Sequence, residues 1–358
     1  MANDKVMSLI DLGMDQWLQD NAASLCGADY SVARVIGVDR GQYTIRNESG
    51  ESFAILTGKF SYDAESTEDI PCVGDWVCVE YFDAESPATI HSVFPRKTFL
   101  RRKIAGVNIE YQMIAANIDK AFIVMSCHFD FNMNRLERYL VMVNDGYIEP
   151  VILLTKTDLI SPDELKERLE QIKNAGIFND VIALSSVTGN GIKQVQSMME
   201  PRKTYCLLGS SGVGKTTLIN RLQGNDELET QAVSGTGEGR HTTTRRSLQM
   251  LKQGAMLIDM PGMRELGILS AAKGMEDSFS DIVELSKLCR FADCSHHNEP
   301  GCAMLEALEN GKLNSEHYQN YLKLKKESEF NEMSYVDKRK KDKDFSKLIS
   351  ATMKGKKH

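Results

Sequence analysis

The stretch Gly209-Ser210-Ser211-Gly212-Val213-Gly214-Lys215-Thr216 fits the pattern G-x-x-x-x-G-K-[ST] at every fixed position. It follows an apolar segment, Thr204–Leu208, that predicts a β-strand, and it precedes Thr217–Leu222, which predicts a helix. In this setting the backbone N–H groups of the loop and the positive end of the helix bind phosphate. We expect Lys215 to reach the β- and γ-phosphates of a nucleotide and the Thr216 hydroxyl to bind Mg²⁺.

A second motif that could bind Mg²⁺, Asp259-Met260-Pro261-Gly262, follows the apolar strand candidate Ala255–Ile258. At a strand end the Asp259 carboxylate can hold Mg²⁺ through water, and the Gly262 N–H can meet the γ-phosphate. The two motifs flank Gly235–Arg246, which carries His241-Thr242-Thr243-Thr244-Arg245. Thr243 or Thr244 could bind Mg²⁺ and the γ-phosphate together, as in nucleotide-sensing switch loops. A plain polar surface loop is the alternative.

A guanine site needs a carboxylate that accepts hydrogen bonds from the base, which GTPases supply in an N-K-x-D motif. The best match is Thr155-Lys156-Thr157-Asp158, directly after the strand candidate Pro150–Leu154. Ser185 and Ser186 follow another apolar strand and are similar to the S-A-[KL] loop, whose backbone contacts guanine. Both elements precede the phosphate loop, whereas in an ordinary GTPase both follow D-x-x-G. Their joint displacement predicts a circularly permuted domain.

The surrounding chain alternates apolar strand candidates with helical stretches, which predicts a mostly parallel sheet covered on both faces. The remaining strand candidates are Lys120–Met125 and Val181–Leu184, and the helical stretches are Asn134–Val143, Pro162–Asn174, Lys215–Leu222, Met275–Leu288, Ala303–Glu309 and Ser315–Lys326.

The N-terminal third has a different character. Residues 31–98 contain five short β-type runs separated by turn signals, which predict a small closed barrel such as an OB-fold. Such barrels bind either oligonucleotides or proteins, and the residues alone do not decide between these. Before them, Val6, Leu9, Ile10, Met14, Trp17 and Leu18 fall at helical spacing and predict a short amphipathic helix that packs on this protein.

Composition excludes several classes of protein. The 358 residues are 42% hydrophobic and 26% charged, as in ordinary globular chains. No apolar run approaches the ~20 residues that a membrane span needs, and we expect no secretory signal. The net charge is −7, but the nine Lys/Arg and three Asp of residues 337–358 make that tail +6 and leave −13 on the remainder. A basic tail indicates either a nucleic-acid contact or a solvated end.

The cysteines indicate metal rather than a disulfide framework. Eight cysteines are sparse for this length, and three of them crowd into Cys289-x₄-Cys294-x-His296-x₅-Cys302. Three thiolates and one imidazole suit a structural, tetrahedral Zn²⁺ and a reducing compartment. Spacing alone does not separate His296 from its neighbour His297. The other five cysteines are expected to be packing residues: Cys26, Cys72, Cys78, Cys127 and Cys206.

The order of these motifs, with Val73-Gly74-Asp75-Trp76 in the barrel, closely resembles the RsgA (YjeQ) family of circularly permuted, small-subunit-dependent GTPases. The resemblance spans about residues 30–330. It implies an α/β protein with an N-terminal OB-fold, a central circularly permuted P-loop GTPase domain and a C-terminal helical zinc-binding domain. The boundaries we expect are 1–30 for a helical extension, 31–100, 101–272, 273–335, and 336–358 for the basic tail.

The resemblance also implies GTP/GDP, Mg²⁺ and one structural Zn²⁺ as cofactors, with His296 as the fourth zinc ligand. It implies a cytoplasmic GTP hydrolase, expected to be monomeric, that acts in late maturation of the small (30S) ribosomal subunit and contacts its rRNA. One departure is Thr155, which stands where asparagine is usual and has a shorter reach.

The expected nucleotide-site residues follow from these motifs. They are Thr155, Lys156, Thr157, Asp158, Ser185, Ser186, Gly209, Ser210, Ser211, Gly212, Val213, Gly214, Lys215, Thr216, Thr217, Thr243, Thr244, Asp259 and Gly262.

The residue that activates water is not the usual one. Gly262 is followed by Met263, where many GTPases carry a glutamine that orients water. We expect His241 to take this role with Lys215 and Asp259, since an imidazole can orient or deprotonate water and the position resembles one proposed for this role in the family. The alternative is that His241 only contacts RNA or stabilises its loop.

Two other functions compete with this interpretation. One is a P-loop ATPase or kinase of another class, which nucleotide competition would test, or a P-loop GTPase or ATPase with a different RNA or protein partner. The other is an RNA-binding scaffold with an inactive nucleotide site, against which the intact Lys215, Thr216 and Asp259 argue. For RNA contact we expect either the basic tail or the cluster Arg96, Lys97, Arg101, Arg102 and Lys103 beside the barrel.

Overall fold

A computed structural model describes residues 7–27, 29–39, 41–82, 86–103, 111–224, 246–260, 271–296 and 298–332. Within these residues, an N-terminal barrel and a central parallel sheet are joined edge to edge, and short helices follow them.

The barrel consists of the five strands predicted from the sequence. They are β1 (Ser31–Asp39), β2 (Gln42–Asn47), β3 (Gly50–Leu56), β4 (Trp76–Glu80) and β5 (Ala88–Val93). The strand order β1-β2-β3-β5-β4 is closed by antiparallel pairing of β4 with β1. Alternate side chains, including those of Val35, Ile45 and Ile90, fill the interior, because successive residues of a strand point to opposite faces. The predicted closed barrel is confirmed.

The central sheet is mostly parallel, as predicted. Its strands are β8 (Lys120–Ser126), β9 (Glu149–Thr155), β10 (Val181–Ala183), β11 (Thr204–Leu208), β12 (Arg246–Met250) and β13 (Met256–Asp259). Their order is β10-β9-β8-β11-β13-β12, and only β12 runs antiparallel to its neighbour. The outer edge of β12 pairs with β1, so the sheet continues directly into the barrel.

Helices cover both faces of this sheet. They are α3 (Met133–Asp145), α4 (Pro162–Asn174), α5 (Ile192–Met198) and α6 (Lys215–Gln223). Residues of α3 and α4 pack on one face and residues of α5 and α6 on the other. Helix α4 begins at a capping box: the Ser161 hydroxyl accepts from the Glu164 N–H, and the Glu164 carboxylate accepts from the Ser161 N–H.

The sequence pattern did not indicate a hairpin between the barrel and the sheet. Its strands are β6 (Phe99–Lys103) and β7 (Tyr111–Ala116), and residue 115 forms a bridge to Val73 of the barrel. The pattern also did not indicate β12, which is half-buried and lies in a polar stretch.

The N-terminal helix is shorter than its apolar spacing suggested. Helix α1 spans Gln16–Leu25 and starts where the Asp15 side chain accepts from the Leu18 N–H. Gly13 has a φ of +90°, which cannot continue a right-handed helix. The preceding residues therefore form turns, although Leu12 still packs against Trp76 of the barrel, as expected of an apolar face that covers this protein.

Arg34 fixes the barrel against the central sheet. Its guanidinium is buried and donates to the Leu12, Gly74 and Asn117 carbonyls and to the Thr204 hydroxyl. Burial lowers the pKa of Arg34 to about 10, which still leaves it charged at neutral pH. Because its partners lie on the N-terminal segment, the barrel and β11, one side chain holds these three parts together.

The C-terminal region is helical. Its helices are α7 (Ala272–Ser278), α8 (Ser280–Lys287), α9 (Ala303–Glu309) and α10 (Ser315–Glu332). One further helix, α2 (Gly58–Asp63), belongs to the barrel region instead. The stretch predicted as one helix, Met275–Leu288, is broken at Phe279, whose φ of −124° lies outside the helical range. None of the described helices has the length and apolar character needed to cross a membrane.

A buried ionic cluster joins α10 to the central domain. His317 lies between the carboxylates of Glu137 on α3, at 2.6 Å, and Asp281 on α8, at 3.2 Å. Burial opposes the charged imidazole, but these two carboxylates outweigh it and raise the pKa of His317 to about 9. The next residue of α3, Arg138, makes a bidentate ion pair with Glu327 of α10. His317 and Glu137 are each only 2% exposed, so the C-terminal helix is attached to α3 through a buried ion pair.

A candidate GTP site and a candidate zinc centre

The phosphate loop joins β11 to α6, as its motif requires. Gly209, Gly212 and Gly214 have φ values of +151°, +81° and +99°, which disfavour residues that carry a Cβ. A Cβ on Gly209 would lie 2.3 Å from the Val124 carbonyl oxygen, so only glycine fits there. A Cβ on Gly212 or Gly214 would meet no atom within 4 Å, so these two residues border open space.

Lys215 folds back over the loop. Its ammonium group donates to the Gly209 carbonyl at 2.8 Å and to the Ser210 carbonyl at 2.6 Å. Thr216 and Thr217 follow in the first turn of α6, and the Thr216 side chain is exposed. Lys215 and Thr216 thus both belong to the first turn of α6, directly after the loop.

Asp259 ends β13, which runs parallel to β11. Adjacent parallel strands bring their carboxyl ends to one edge, so Asp259 lies on the same edge as the phosphate loop. Burial raises the pKa of the Asp259 carboxyl, and the positive charge of Lys215 partly offsets this effect. These positions suit a magnesium site made by Thr216 and Asp259.

The predicted guanine-recognition element, Thr155–Asp158, reaches the phosphate loop through Thr155. This side chain is buried, and its hydroxyl lies 2.6 Å from the Val213 carbonyl oxygen and 3.1 Å from that of Met125. A single hydroxyl proton bonds one of them at a time, and the contact with Val213 is the shorter. Although threonine is shorter than the usual asparagine, its side chain at this position reaches the phosphate loop.

The next residues of this element face outward. Lys156 has a left-handed backbone, with a φ of +60°, and its ammonium group lies 4.5 Å from the centre of the Phe129 ring. Burial lowers the pKa of Lys156. Asp158 is exposed on the 3₁₀ turn Thr157–Leu159, where its carboxylate is open to a ligand.

The serine loop is held beside this turn. The Ser185 hydroxyl is buried and accepts from the N–H groups of Val187 and Thr188. The Ser186 carbonyl accepts from the Arg221 side chain of α6 at 3.1 Å. The two displaced elements and the phosphate loop thus meet at one edge of the sheet.

Sequence reasoning missed the loop between β8 and α3. Asp130 in this loop accepts a hydrogen bond from the Ser210 hydroxyl at 2.5 Å, and Arg135 in the first turn of α3 contacts both residues. The available signal was a run of polar and aromatic residues after a buried strand, at the edge where ligands bind parallel sheets.

Four predicted nucleotide-site residues lie outside the described part of the chain. They are His241, Thr243, Thr244 and Gly262. His297, the rival zinc ligand, and the basic tail 336–358 also lie outside it.

The predicted zinc ligands converge. The ligand atoms of Cys289, Cys294, His296 and Cys302 all lie within 4.8 Å of one another. The His296 Nδ1 atom is 3.5 Å from the Cys289 sulfur and 3.4 Å from the Cys302 sulfur. Bonds of ~2.3 Å from zinc to sulfur and ~2.0 Å to nitrogen place tetrahedral ligand atoms at such separations. The donor set and its spacing therefore fit one structural zinc ion.

The other cysteines correct one expectation. Cys26 and Cys78 form a disulfide that ties the end of α1 to β4, so the prediction that both are separate packing thiols was wrong. Sequence spacing could not reveal the pair, because its members are 52 residues apart. Cys72, Cys127 and Cys206 are buried free thiols, as expected.

The basic cluster beside the barrel is largely used inside the protein. Arg96 is bound to both carboxylate oxygens of the fully buried Asp75 at 2.8 Å. Lys97 pairs with Asp15, and Arg101 with Asp145. Acids of this chain thus pair with three members of the cluster, and RNA binding by the cluster stays a prediction.

Comparisons with known proteins agree with this geometry. Residues 93–269 match the family model for the RsgA GTPase. The chain is 42% identical over 301 residues to "Small ribosomal subunit biogenesis GTPase RsgA 2" of Lactiplantibacillus plantarum, covering 84% of each chain. It is 34% identical over 349 residues to the protein of the same name from Vibrio vulnificus, covering 97% of this chain and 96% of the relative.

A solved structure shares the architecture. The crystal structure of YjeQ from Thermotoga maritima superposes with a TM-score of 0.62 at 25% identity, covering 82% of this chain and 97% of that one. The order of the guanine-recognition and phosphate-binding strands, the closed barrel and the similarity over most of the chain lead to one conclusion. This chain is a GTP hydrolase that belongs to the RsgA family of GTPases.

Proposed function

We propose that this GTPase acts in the late biogenesis of the small ribosomal subunit, binds its rRNA and hydrolyses GTP to GDP and phosphate with stimulation by that subunit. The observation that carries the nucleotide part is the contact between Thr155 and Val213, which joins the guanine-recognition element to the phosphate loop. The names of the relatives support the ribosomal part.

Each residue of the site has a proposed role. Asp158 accepts hydrogen bonds from guanine, Lys156 covers the base, and the backbone of Ser185 and Ser186 contacts the guanine carbonyl. The 209–214 backbone and Lys215 bind the phosphates. Thr216 and Asp259 hold Mg²⁺, which would offset charge on the phosphates. His241 orients water, while Thr243 or Thr244 and Gly262 contact the γ-phosphate side.

The remaining assignments are also part of the proposal. Cys289, Cys294, His296 and Cys302 hold a zinc ion that stabilises the C-terminal region. We divide the chain as stated above, from the helical extension through the barrel, GTPase and zinc-binding domains to the basic tail. We place it in the cytoplasm as a monomer.

The direct test is GTP hydrolysis measured alone, with purified small subunits and with purified large subunits. We expect small subunits to raise turnover well above the level seen with large subunits. Equal stimulation by both, or by neither, would contradict the ribosomal role and leave a GTPase with another partner.

The RNA contact has its own test. Binding of the GTP-analogue-bound protein to small subunits should weaken steeply as salt rises, because neutralising phosphates releases counterions. Deleting residues 337–358 should weaken binding and leave intrinsic hydrolysis unchanged, since no nucleotide motif lies there. Undiminished binding by the truncated protein would move the RNA contact to another surface.

A further inference from the structure

Three side chains form a clasp on the outer side of the phosphate loop. The Ser210 hydroxyl donates to a carboxylate oxygen of Asp130 at 2.5 Å, and it accepts from an Arg135 N–H at 3.2 Å. Arg135 also makes an ion pair with the other Asp130 oxygen. Ser210 is thus engaged both as a donor and as an acceptor.

The two residues that hold Ser210 are fixed by their own elements. Arg135 lies in the first turn of α3, where the Asn132 side chain accepts from its backbone N–H at 2.9 Å. Only about 14% of the Asp130 side chain is exposed, so water weakens its hydrogen bond little. Neither residue matches a fixed position of a nucleotide-binding motif.

The clasp acts on the part of the loop that also engages Lys215. The Lys215 ammonium group donates to the Gly209 and Ser210 carbonyls, and in phosphate loops this lysine binds the β- and γ-phosphates. An ammonium group has three N–H donors, so Lys215 must share them between these carbonyls and the phosphates. The Ser210 side chain makes a second set of contacts that hold this part of the loop in place.

We propose that Asp130 and Arg135 are positioning residues that hold the phosphate loop, through Ser210, in the shape that receives a nucleoside triphosphate. This role rests on the GTP binding proposed above. Arg135 also offsets the negative charge that Asp130 would otherwise present to the phosphates. The affinity for a nucleoside diphosphate depends less on the clasp, because Lys215 then has only the β-phosphate to bind.

The test is a double-mutant cycle with Asp130→Ala and Ser210→Ala, read by the affinities for a fluorescent non-hydrolysable GTP analogue and for fluorescent GDP. We expect each single change to weaken the triphosphate about tenfold and GDP less than threefold. The double variant should bind the triphosphate analogue no more weakly than the weaker-binding single variant does, because either change already breaks the contact between Asp130 and Ser210. Ser210→Thr, which keeps the hydroxyl, should retain the affinity.

Arg138→Gln is the matched control, since Arg138 lies on the same helix and pairs with Glu327 rather than with the loop. It should leave both affinities unchanged, and thermal melting should show that every variant is folded. Removing the negative Asp130 would tighten triphosphate binding if only its charge mattered.

Tighter binding by Asp130→Ala, unchanged binding by either single variant, equal losses for GTP and GDP, or multiplied losses in the double variant would each overturn the clasp. If the parent protein binds no GTP, the proposed nucleotide function fails and the clasp fails with it. If the parent binds GTP and the variants match it, the clasp alone fails.

Discussion

The hydroxyl of Thr155 lies 2.6 Å from the carbonyl oxygen of Val213, so a residue at the end of β9 is tied directly to the phosphate loop that follows β11. Strand β8 separates these two strands in the sheet. The contact crosses that strand at the carboxyl edge, and it therefore couples the base-recognition element to the phosphate-binding element.

Thr155→Val should weaken both the fold and the site. The change keeps the side-chain shape but leaves a buried carbonyl without its donor, which costs about 1–3 kcal/mol of unfolding free energy. GTP affinity should fall several-fold, because the loop is no longer held. Urea denaturation and fluorescent-nucleotide titration measure the two effects. Thr155→Ser keeps the hydroxyl and is the control, and a Thr155→Val protein as stable as the parent would contradict the role.

Asp158→Asn should change the choice of base. The exposed carboxylate is expected to accept from the N–H groups of guanine, whereas an amide offers a donor that suits the 2-oxo group of xanthine. Competition binding should show weaker GTP and stronger xanthosine triphosphate binding. An unchanged preference for GTP would remove Asp158 from the base site.

His241→Ala should bind GTP nearly as the parent does and lose most of the subunit-stimulated turnover, because we assign the imidazole to water rather than to binding. Single-turnover hydrolysis with small subunits is the measurement. Stimulated turnover within about twofold of the parent would instead support a structural or RNA-binding role for His241.

Cys294→Ser should remove both zinc and stability. Metal analysis of the reduced, purified parent should find about one zinc per chain, and the variant should hold less and melt at a lower temperature, because metal-binding energy is also folding energy. Cys206→Ser is a useful comparison, since Cys206 is a buried cysteine of the central sheet and should leave zinc content unchanged. A parent protein without zinc would defeat the assignment.

His317 should make stability depend on pH. Its pKa is raised to about 9 in the folded protein by Asp281 and Glu137 against the effect of burial, and its ordinary value is 6.5. The contribution of the charged His317 to the free energy of unfolding is therefore complete below pH 6.5 and is lost as pH rises through about 9. The difference in unfolding free energy between the parent and His317→Gln should shrink by about 3 kcal/mol between pH 6 and pH 10. Urea denaturation across this range measures it, and a constant difference would show that His317 is not charged in the fold.

The sequence by itself determined the nucleotide chemistry and the order of the elements. A phosphate loop needs glycines that permit φ > 0 and a lysine at a set spacing. The segment from Gly209 to Thr216 could therefore be identified as one without knowing which distant residues pack against it. The same holds for Thr155 to Asp158 and for the cysteines around His296, because each motif is a short segment whose local backbone and chemistry are set by adjacent residues. Their unusual order along the chain was enough to predict the permutation.

Only the tertiary structure decided which distant side chains meet. Asp130 and Ser210 are 80 residues apart, and they touch because β8 lies beside β11 in the sheet. Tertiary packing likewise brings Cys26 to Cys78, which were predicted to be separate packing thiols, and Arg96 to Asp75. Strand order and barrel closure depend on burying apolar surface over the whole chain. A short stretch of sequence therefore does not indicate which distant side chains will contact it in the folded protein.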